Sequence, residues 1–337
     1  MKFKILTLFA LLLIAILFYI KNSGSNEDIV FKNGETTLSG TLYLPRGDGP
    51  FPAVVFVHGS GAETRENSQY SAKWFASIGY AALTYDKRGT GQSNGEENEW
   101  KRFNFDALAG DVISAVNFLS KNEIIDKSKI GLHATSQGGW IAPLAASKSD
   151  LIHFLIIKSG SVTNVSEDRI FERSARLRKE GFSDIEINEA LKMQMVEGKT
   201  ISGKSAKDEF TSLFEINKNK AWFARVYPGK TPFSESLVNY RTWYATIVDF
   251  DPIPFLKKID KPIMWIFGDS ELDQSGPVKK SIINLTRLKN QGKAYEILQL
   301  QGEGHNVTEE KYEREVYEWL KNIYAKNPYK FKKHSIF

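Results

Sequence analysis

The sequence predicts an α/β protein: a mostly parallel central sheet with helices on both faces and a helical insertion late in the chain. Three observations predict it. Short, near-continuous apolar runs recur, which is the pattern of strands buried on both faces. Segments with apolar residues at helical spacing separate those runs. The alternation then stops for roughly 95 residues, from Ser161 to about Phe255, where helical patterns and aromatic residues continue without a convincing strand.

Taken in order, residues 29–44 predict a β-hairpin with Asn33-Gly34 at its turn, because those two residue types tolerate the positive φ of a tight hairpin. Phe51 to Val57 predicts a buried strand, 68–78 a helix, and Tyr80 to Tyr85 a second buried strand. Between Phe103 and Ser120 the residues Phe105, Leu108, Ala109, Val112, Ala115, Val116 and Leu119 share one helical face. Lys129 to Ala134 predicts a strand, Gln137 to Ser147 an Ala-rich helix, and Ile152 to Ile157 another strand. In the insertion, helices are expected over Asp168 to Lys179 and Ile185 to Met195. An aromatic group follows: Trp222, Phe223, Tyr227, Phe233, Tyr240, Trp243 and Tyr244. Its first reading is the insertion's own core; its second is the lining of an apolar acyl pocket under a lid. Pro262 to Phe267, a helix near 278–290, the strand Ala294 to Leu300 and a helix over 308–324 complete the series.

The two ends differ from the body. Ile5 to Ile20 runs without a charge after Lys2 and Lys4, which is a positive segment followed by an apolar one. Residues 1–21 are therefore expected to be a signal anchor or a signal peptide, and 22–28 a polar linker. Export follows from either: membrane attachment if the segment is kept, a periplasmic or secreted protein if it is removed. From Lys321 to Phe337 there are five Lys and no acid, and 326–337 reads as a basic tail. The net charge of +5 resides in these ends. The body offers no broad basic face, so a nucleic-acid partner is not expected. The oligomeric state is left open.

Composition narrows the chemistry. With no Cys, disulfides, thiolate catalysis, Cys-ligated zinc and Fe–S clusters are excluded. Histidine chemistry must come from His58, His133, His153, His305 or His334. Ala134-Thr135-Ser136-Gln137-Gly138-Gly139 lies between a strand and a helix, where a sharp turn flanked by small residues lifts a serine hydroxyl above the sheet. Ala134 stands where a first glycine is usual. His58-Gly59-Ser60-Gly61 follows the strand ending at Val57, and a glycine turn there lets the Ser60 N–H face the same oxyanion as the Gln137 N–H. Gly304-His305-Asn306 follows the last strand and makes His305 the candidate base. The loop Gly268 to Pro277 carries three carboxylates; Asp273 is favoured as the acid, Glu271 is the runner-up and Asp269 third. Asp86-Lys87-Arg88-Gly89-Thr90-Gly91-Gln92-Ser93 reads as scaffolding for the mouth of the site and, lacking a GxGxxG frame before a helix, not as a dinucleotide loop.

HGSG, DKRGTGQS, ATSQGG, an acid-bearing loop and GEGH occur in that order at the ends of successive strands. The chain thereby resembles the α/β-hydrolase superfamily, and within it the bacterial serine esterases of the dienelactone-hydrolase/serine-aminopeptidase type. The resemblance covers roughly residues 29–325. It implies an α/β-hydrolase fold with a helical cap at about 161–255, no cofactor or metal, and a Ser136, Asp273, His305 triad with an oxyanion hole at Ser60 and Gln137. The implied activity is cleavage of a small carboxylic ester through an acyl-enzyme. An aminopeptidase, with Glu167 or Asp168 holding the substrate amine, and a thioesterase are the alternatives using the same residues. A non-catalytic binding module is a third.

Overall fold

A computed structural model describes residues 24–95, 105–201, 207–227 and 246–324. The expected N-terminal anchor, the basic tail, and Phe233, Tyr240, Trp243 and Tyr244 lie outside these residues. Eight strands form one sheet in the order β1-β2-β4-β3-β5-β6-β7-β8. They are β1 Ser25–Asn33, β2 Thr36–Leu44, β3 Phe51–Val57, β4 Ala81–Tyr85, β5 Ile125–Thr135, β6 Phe154–Lys158, β7 Ile263–Phe267 and β8 Tyr295–Gln299. The pairs β1/β2 and β2/β4 are antiparallel and all others are parallel.

The strands from β3 to β7 bury both faces, and period two sorts their side chains. Val55, Val57, Leu83, Leu132, Leu155, Ile157 and Trp265 enter one core; Val54, Phe56, Ala82, Phe154, Ile156 and Ile266 enter the other. Helices α1 (Gln69–Ser77) and α10 (Glu313–Tyr324) cover the second core. Helices α2 (Phe105–Ser120), α3 (Gly138–Ala146) and α9 (Val278–Asn290) cover the first. The path from β3 runs one way to β4, and from β5 the other way to β6. The strand order therefore reverses between β3 and β5, and a crevice opens beyond their carboxyl ends.

Between β6 and β7 lie α4 (Val165–Lys179), α5 (Asp184–Ile201), α6 (Lys207–Asn217), α7 (Phe223–Val226) and α8 (Ile253–Lys258). Asn164 caps α4 by accepting from the Glu167 N–H at 2.8 Å, so the helix starts before Asp168. Trp222, Phe223 and Tyr227 pack with Phe210, Phe214 and Leu177 in a third, separate core. They are core residues of the insertion.

Two expectations need correction. Residues 25–28 are strand and not linker: Ser25 to Asp28 pair with Leu44 to Thr41. Their side chains are exposed, so the backbone ladder forms without an apolar signal. The helix expected over 308–324 is broken. A short 3-10 turn, Glu309–Lys311, precedes α10, and Tyr312 at the break is buried against the sheet.

Candidate active site

The site sits at the crevice. After β5 the chain turns at Ser136, whose φ of 52° is left-handed, and α3 begins two residues later. A non-glycine residue is held there only by its surroundings. The Ser136 N–H donates to Lys158 O at 2.9 Å, and Ser136 O accepts from the Gly139 N–H at 2.8 Å. A Cβ at Gly139 would lie 2.6 Å from the Gly160 Cα, and one at Gly138 would lie 2.8 Å from Val57 O and 3.2 Å from the Ala134 Cβ. The Ala134 methyl fits because position 138 has no side chain.

Ser136 Oγ lies 3.0 Å from His305 Nε2. His305 Nδ1 lies 3.1 Å from both carboxylate oxygens of Asp273. An ionised carboxylate only accepts, so Nδ1 carries the proton and Nε2 is left to accept from the serine hydroxyl. Asp273 is 2% exposed and also accepts the Ser275 N–H at 2.9 Å. Glu271 instead pairs with Lys279 at the surface, and Asp269 accepts the Glu271 N–H at 2.9 Å. Of the three carboxylates, the structure brings Asp273 to His305. The two loops interlock: the Asp269 N–H donates to Glu303 O at 2.7 Å, and a Cβ at Gly268 would lie 2.2 Å from Gly304 O.

The His58–Gly61 turn lies against the serine, with a Cβ at Gly59 falling 3.5 Å from the Ser136 Cβ. Among the described residues, the backbone N–H groups of Ser60 and Gln137 find no protein acceptor. His58 itself donates from Nε2 to Tyr85 O at 2.6 Å and packs edge-on against Tyr85, which makes it a turn-packing residue. His133 is buried in β5, where desolvation, with Lys158 adding to it, pushes the imidazole down to about 3. Among the described residues, no group of three His, Asp or Glu is placed to hold a metal ion.

Residues 48–213 match the family serine aminopeptidase, S33. An uncharacterized 31.7 kDa protein of Escherichia coli is 26% identical over 235 residues, 68% of this chain and 76% of that protein. Esterase EstD of Thermotoga maritima is 28% identical over 162 residues, 45% of this chain and 37% of the esterase. A solved structure of the Pyrococcus furiosus esterase PF2001 superposes with a TM-score of 0.57 at 16% identity, covering 89% of this chain and 91% of that one. The chain has the α/β-hydrolase fold. Esterases and peptidases are both among its relatives.

In this fold the DKRGTGQS stretch is a set of braces around the site. Asp86 receives the Arg65 guanidinium at Oδ1 (3.1 Å) and Oδ2 (2.8 Å), and the Arg65 and Gln92 N–H groups besides. Burial would raise its carboxyl, but these bonds hold it below the usual carboxylate range. A Cβ at Gly91, where φ is 54°, would lie 2.5 Å from that carboxylate. Arg88 forms a two-pronged pair with Asp111 of α2, and Asn33 of the hairpin turn donates to the same carboxylate at 2.8 Å. Between them, Lys87 points the other way, into the site: its Nζ donates to Gly59 O at 2.8 Å and to Gln137 Oε1 at 3.0 Å.

Three further site residues carry no motif. Ser159, directly after β6, also has a left-handed φ of 53°, and its hydroxyl donates to His305 O at 2.5 Å. Its neighbour Lys158 reaches the same loop, pairing with Glu309 at 2.8 Å. Asp168, in the first turn of α4, is 8% exposed, and its Oδ2 is 3.5 Å from where a Gly276 Cβ would sit. Burial pushes its carboxyl up to about 7; Glu172 adds to the rise, while the Ser161 hydroxyl, Arg169 and His305 oppose it. Glu167 faces outward and pairs with Lys280.

Proposed function

We propose that this hydrolase cleaves carboxylic esters of small molecules through an acyl-enzyme on Ser136. One observation supports this above the others: Asp273, His305 and the Ser136 hydroxyl form an unbroken hydrogen-bonded relay, with the hydroxyl lifted on a strained turn at the sheet's switch point. Ser136 Oγ attacks the ester carbonyl as His305 Nε2 takes its proton. Asp273 keeps the imidazole in the right tautomer and stabilises the imidazolium. The N–H groups of Ser60 and Gln137 receive the oxyanion. His305 then protonates the leaving alcohol, and water releases the acid by the reverse proton path. Turnover of p-nitrophenyl butyrate tests the reading. Ser136→Ala should abolish it while the protein stays folded, and a fluorophosphonate probe should label the parent chain at Ser136. Full activity in Ser136→Ala refutes the reading, and failure of the probe to label supports a non-catalytic module.

A second reading, release of N-terminal residues from peptides, is favoured by the family match and by Asp168. An ammonium group would need this carboxyl ionised. Aminoacyl-p-nitroanilide turnover would then rise as pH passes through about 7, and Asp168→Asn would lose it while keeping ester turnover. For location, the apolar run Ile5 to Ile20 supports an exported protein held at a membrane or released from it. Among the described residues no helix is long and apolar enough to cross a membrane. Fractionation of the full chain and of a chain starting at Ser25 tests that reading.

A further inference from the structure

We propose that Lys87 is the positioning residue of the oxyanion hole: one buried ammonium holds both segments whose backbone N–H groups receive the developing negative charge. The proposal rests on the reading of Ser136 as nucleophile. It concerns a residue of DKRGTGQS that the triad chemistry leaves unused.

The argument starts from the peptide plane. Gly59 O and the Ser60 N–H belong to one peptide unit, and in a trans peptide they point in opposite directions. Fixing the carbonyl therefore fixes where the N–H points. Lys87 Nζ does this at 2.8 Å. A glycine turn needs such a restraint, because Gly59 and Gly61 have few steric limits of their own and Gly61 already stands at φ 93°. A cation on the carbonyl oxygen also polarises the peptide and makes its N–H the stronger donor.

The other side of Gly59 is held as well. Its N–H donates to Glu63 Oε2 at 3.1 Å. Glu63 is tied back to Lys87 through its carbonyl, which accepts the Lys87 N–H at 3.0 Å and the Thr90 hydroxyl at 2.8 Å. The second donor is Gln137, whose side-chain oxygen accepts from the same ammonium at 3.0 Å. Two segments far apart in sequence are joined at one atom. Lys87 is 3% exposed, so the joint lies away from water. Burial lowers its ammonium to about 8, against the pull of Glu63 and Asp111. A lysine kept at that cost is better explained by what it holds than by stability.

Lys87→Met keeps the length of the side chain and removes the donor. Active sites are first counted with a fluorophosphonate, so that rates refer to folded enzyme. The expected result is a kcat on p-nitrophenyl butyrate lowered about 10- to 100-fold, below the ~10²–10³ for deleting a donor outright, with KM changed less than about 2-fold. The inhibition constant of an aryl trifluoromethyl ketone, which forms an oxyanion adduct, should rise in the same proportion as kcat/KM falls. A merely structural lysine would lower the count of active sites and leave both ratios alone. Gln137→Met removes the second contact and keeps the backbone N–H. It should lower kcat several-fold by itself, and it carries the test if Lys87→Met does not fold. Unchanged kcat per labelled site in the folded variants overturns the proposal. So does a lower kcat with an unchanged ketone constant. If the parent chain is not labelled, or Ser136→Ala stays active, the reading of the triad has failed instead.

Discussion

The sheet side of the molecule and its helical insertion are held together by different means. Around the site, segments meet backbone to backbone: Gly139 against Gly160, Gly268 against Gly304, Gly138 against Val57. Buried charges there are paired in two-pronged fashion, as Asp86 with Arg65 and Arg88 with Asp111. The insertion instead encloses an aromatic and aliphatic core of its own, and its ion pairs, such as Arg178 with Asp184, lie in solvent. The difference teaches that reacting groups are set by contacts that tolerate no added atom. The cover above them is set by apolar burial, which tolerates change in sequence if volume is kept.

The largest effect should come from the relay itself. Asp273→Asn leaves the shape but offers an amide that can favour the wrong imidazole tautomer. By analogy with other triads the loss in kcat is about 10⁴-fold. Steady-state ester kinetics check it, and a loss under tenfold would move the acid elsewhere. Next comes Asp86→Asn, which strips the charge from a buried pair and leaves Arg65 only the exposed Asp28 as a charged partner, at a cost of about 3 kcal/mol. Urea unfolding measures it. Lys280→Ala, which breaks an exposed pair with Glu167, should cost under about 1 kcal/mol in the same assay. Equal costs would erase the contrast between the two regions.

Much of the sheet side was legible because its signals are local. Apolar runs mark the buried strands, and the small residues around Ser136 and His305 mark places where backbone must approach backbone. The place of Asp273 ahead of Pro277 favours it over Glu271, and the geometry pairs Asp273 with His305. Contacts between distant segments were not legible. The reach of Lys87 to Gly59 O depends on β4 lying beside β3, so the stretch alone reads as scaffold. Ser159 carries no motif; only its backbone angle and its bond to His305 O mark it. Ser25 to Asp28 read as linker because an exposed edge strand shows no apolar alternation. Helix α6 gives no clear helical signal because its buried apolar residues, Phe210 and Phe214, are too few to establish a period.

Phe214→Ala tests the insertion's independence. Phe214 is 2% exposed among Phe210, Phe223 and Tyr227, and its truncation should cost about 3 kcal/mol locally. Hydrogen exchange should quicken in α5 and α6 with β5 and β6 unchanged. Ester turnover should alter more for long acyl chains than for acetate. Exchange that quickens equally in the sheet would show that the two regions unfold as one.

A pH-dependent effect is the most informative about where the regions touch. Asp168 belongs to the insertion's first helix yet lies beside the acid loop. Its carboxyl is raised to about 7 from an ordinary 3.8, chiefly by burial. The folded protein therefore binds more protons than the unfolded chain between those values, and stability falls as pH rises through that window. Asn at 168 imitates the protonated acid and never ionises. Asp168→Asn should match the parent near pH 4, gain on it from pH 4 to about 7, and stay ahead by about 1–3 kcal/mol above that. Thermal unfolding across that range measures the gap. Glu172, Arg169 and His305 are the ionisable neighbours that act on this carboxyl. If the gap persists in His305→Gln, burial sets it; if it widens, His305 had been offsetting part of the burial cost. A gap independent of pH would mean that the junction stays wet and that the insertion does not seal this corner of the site.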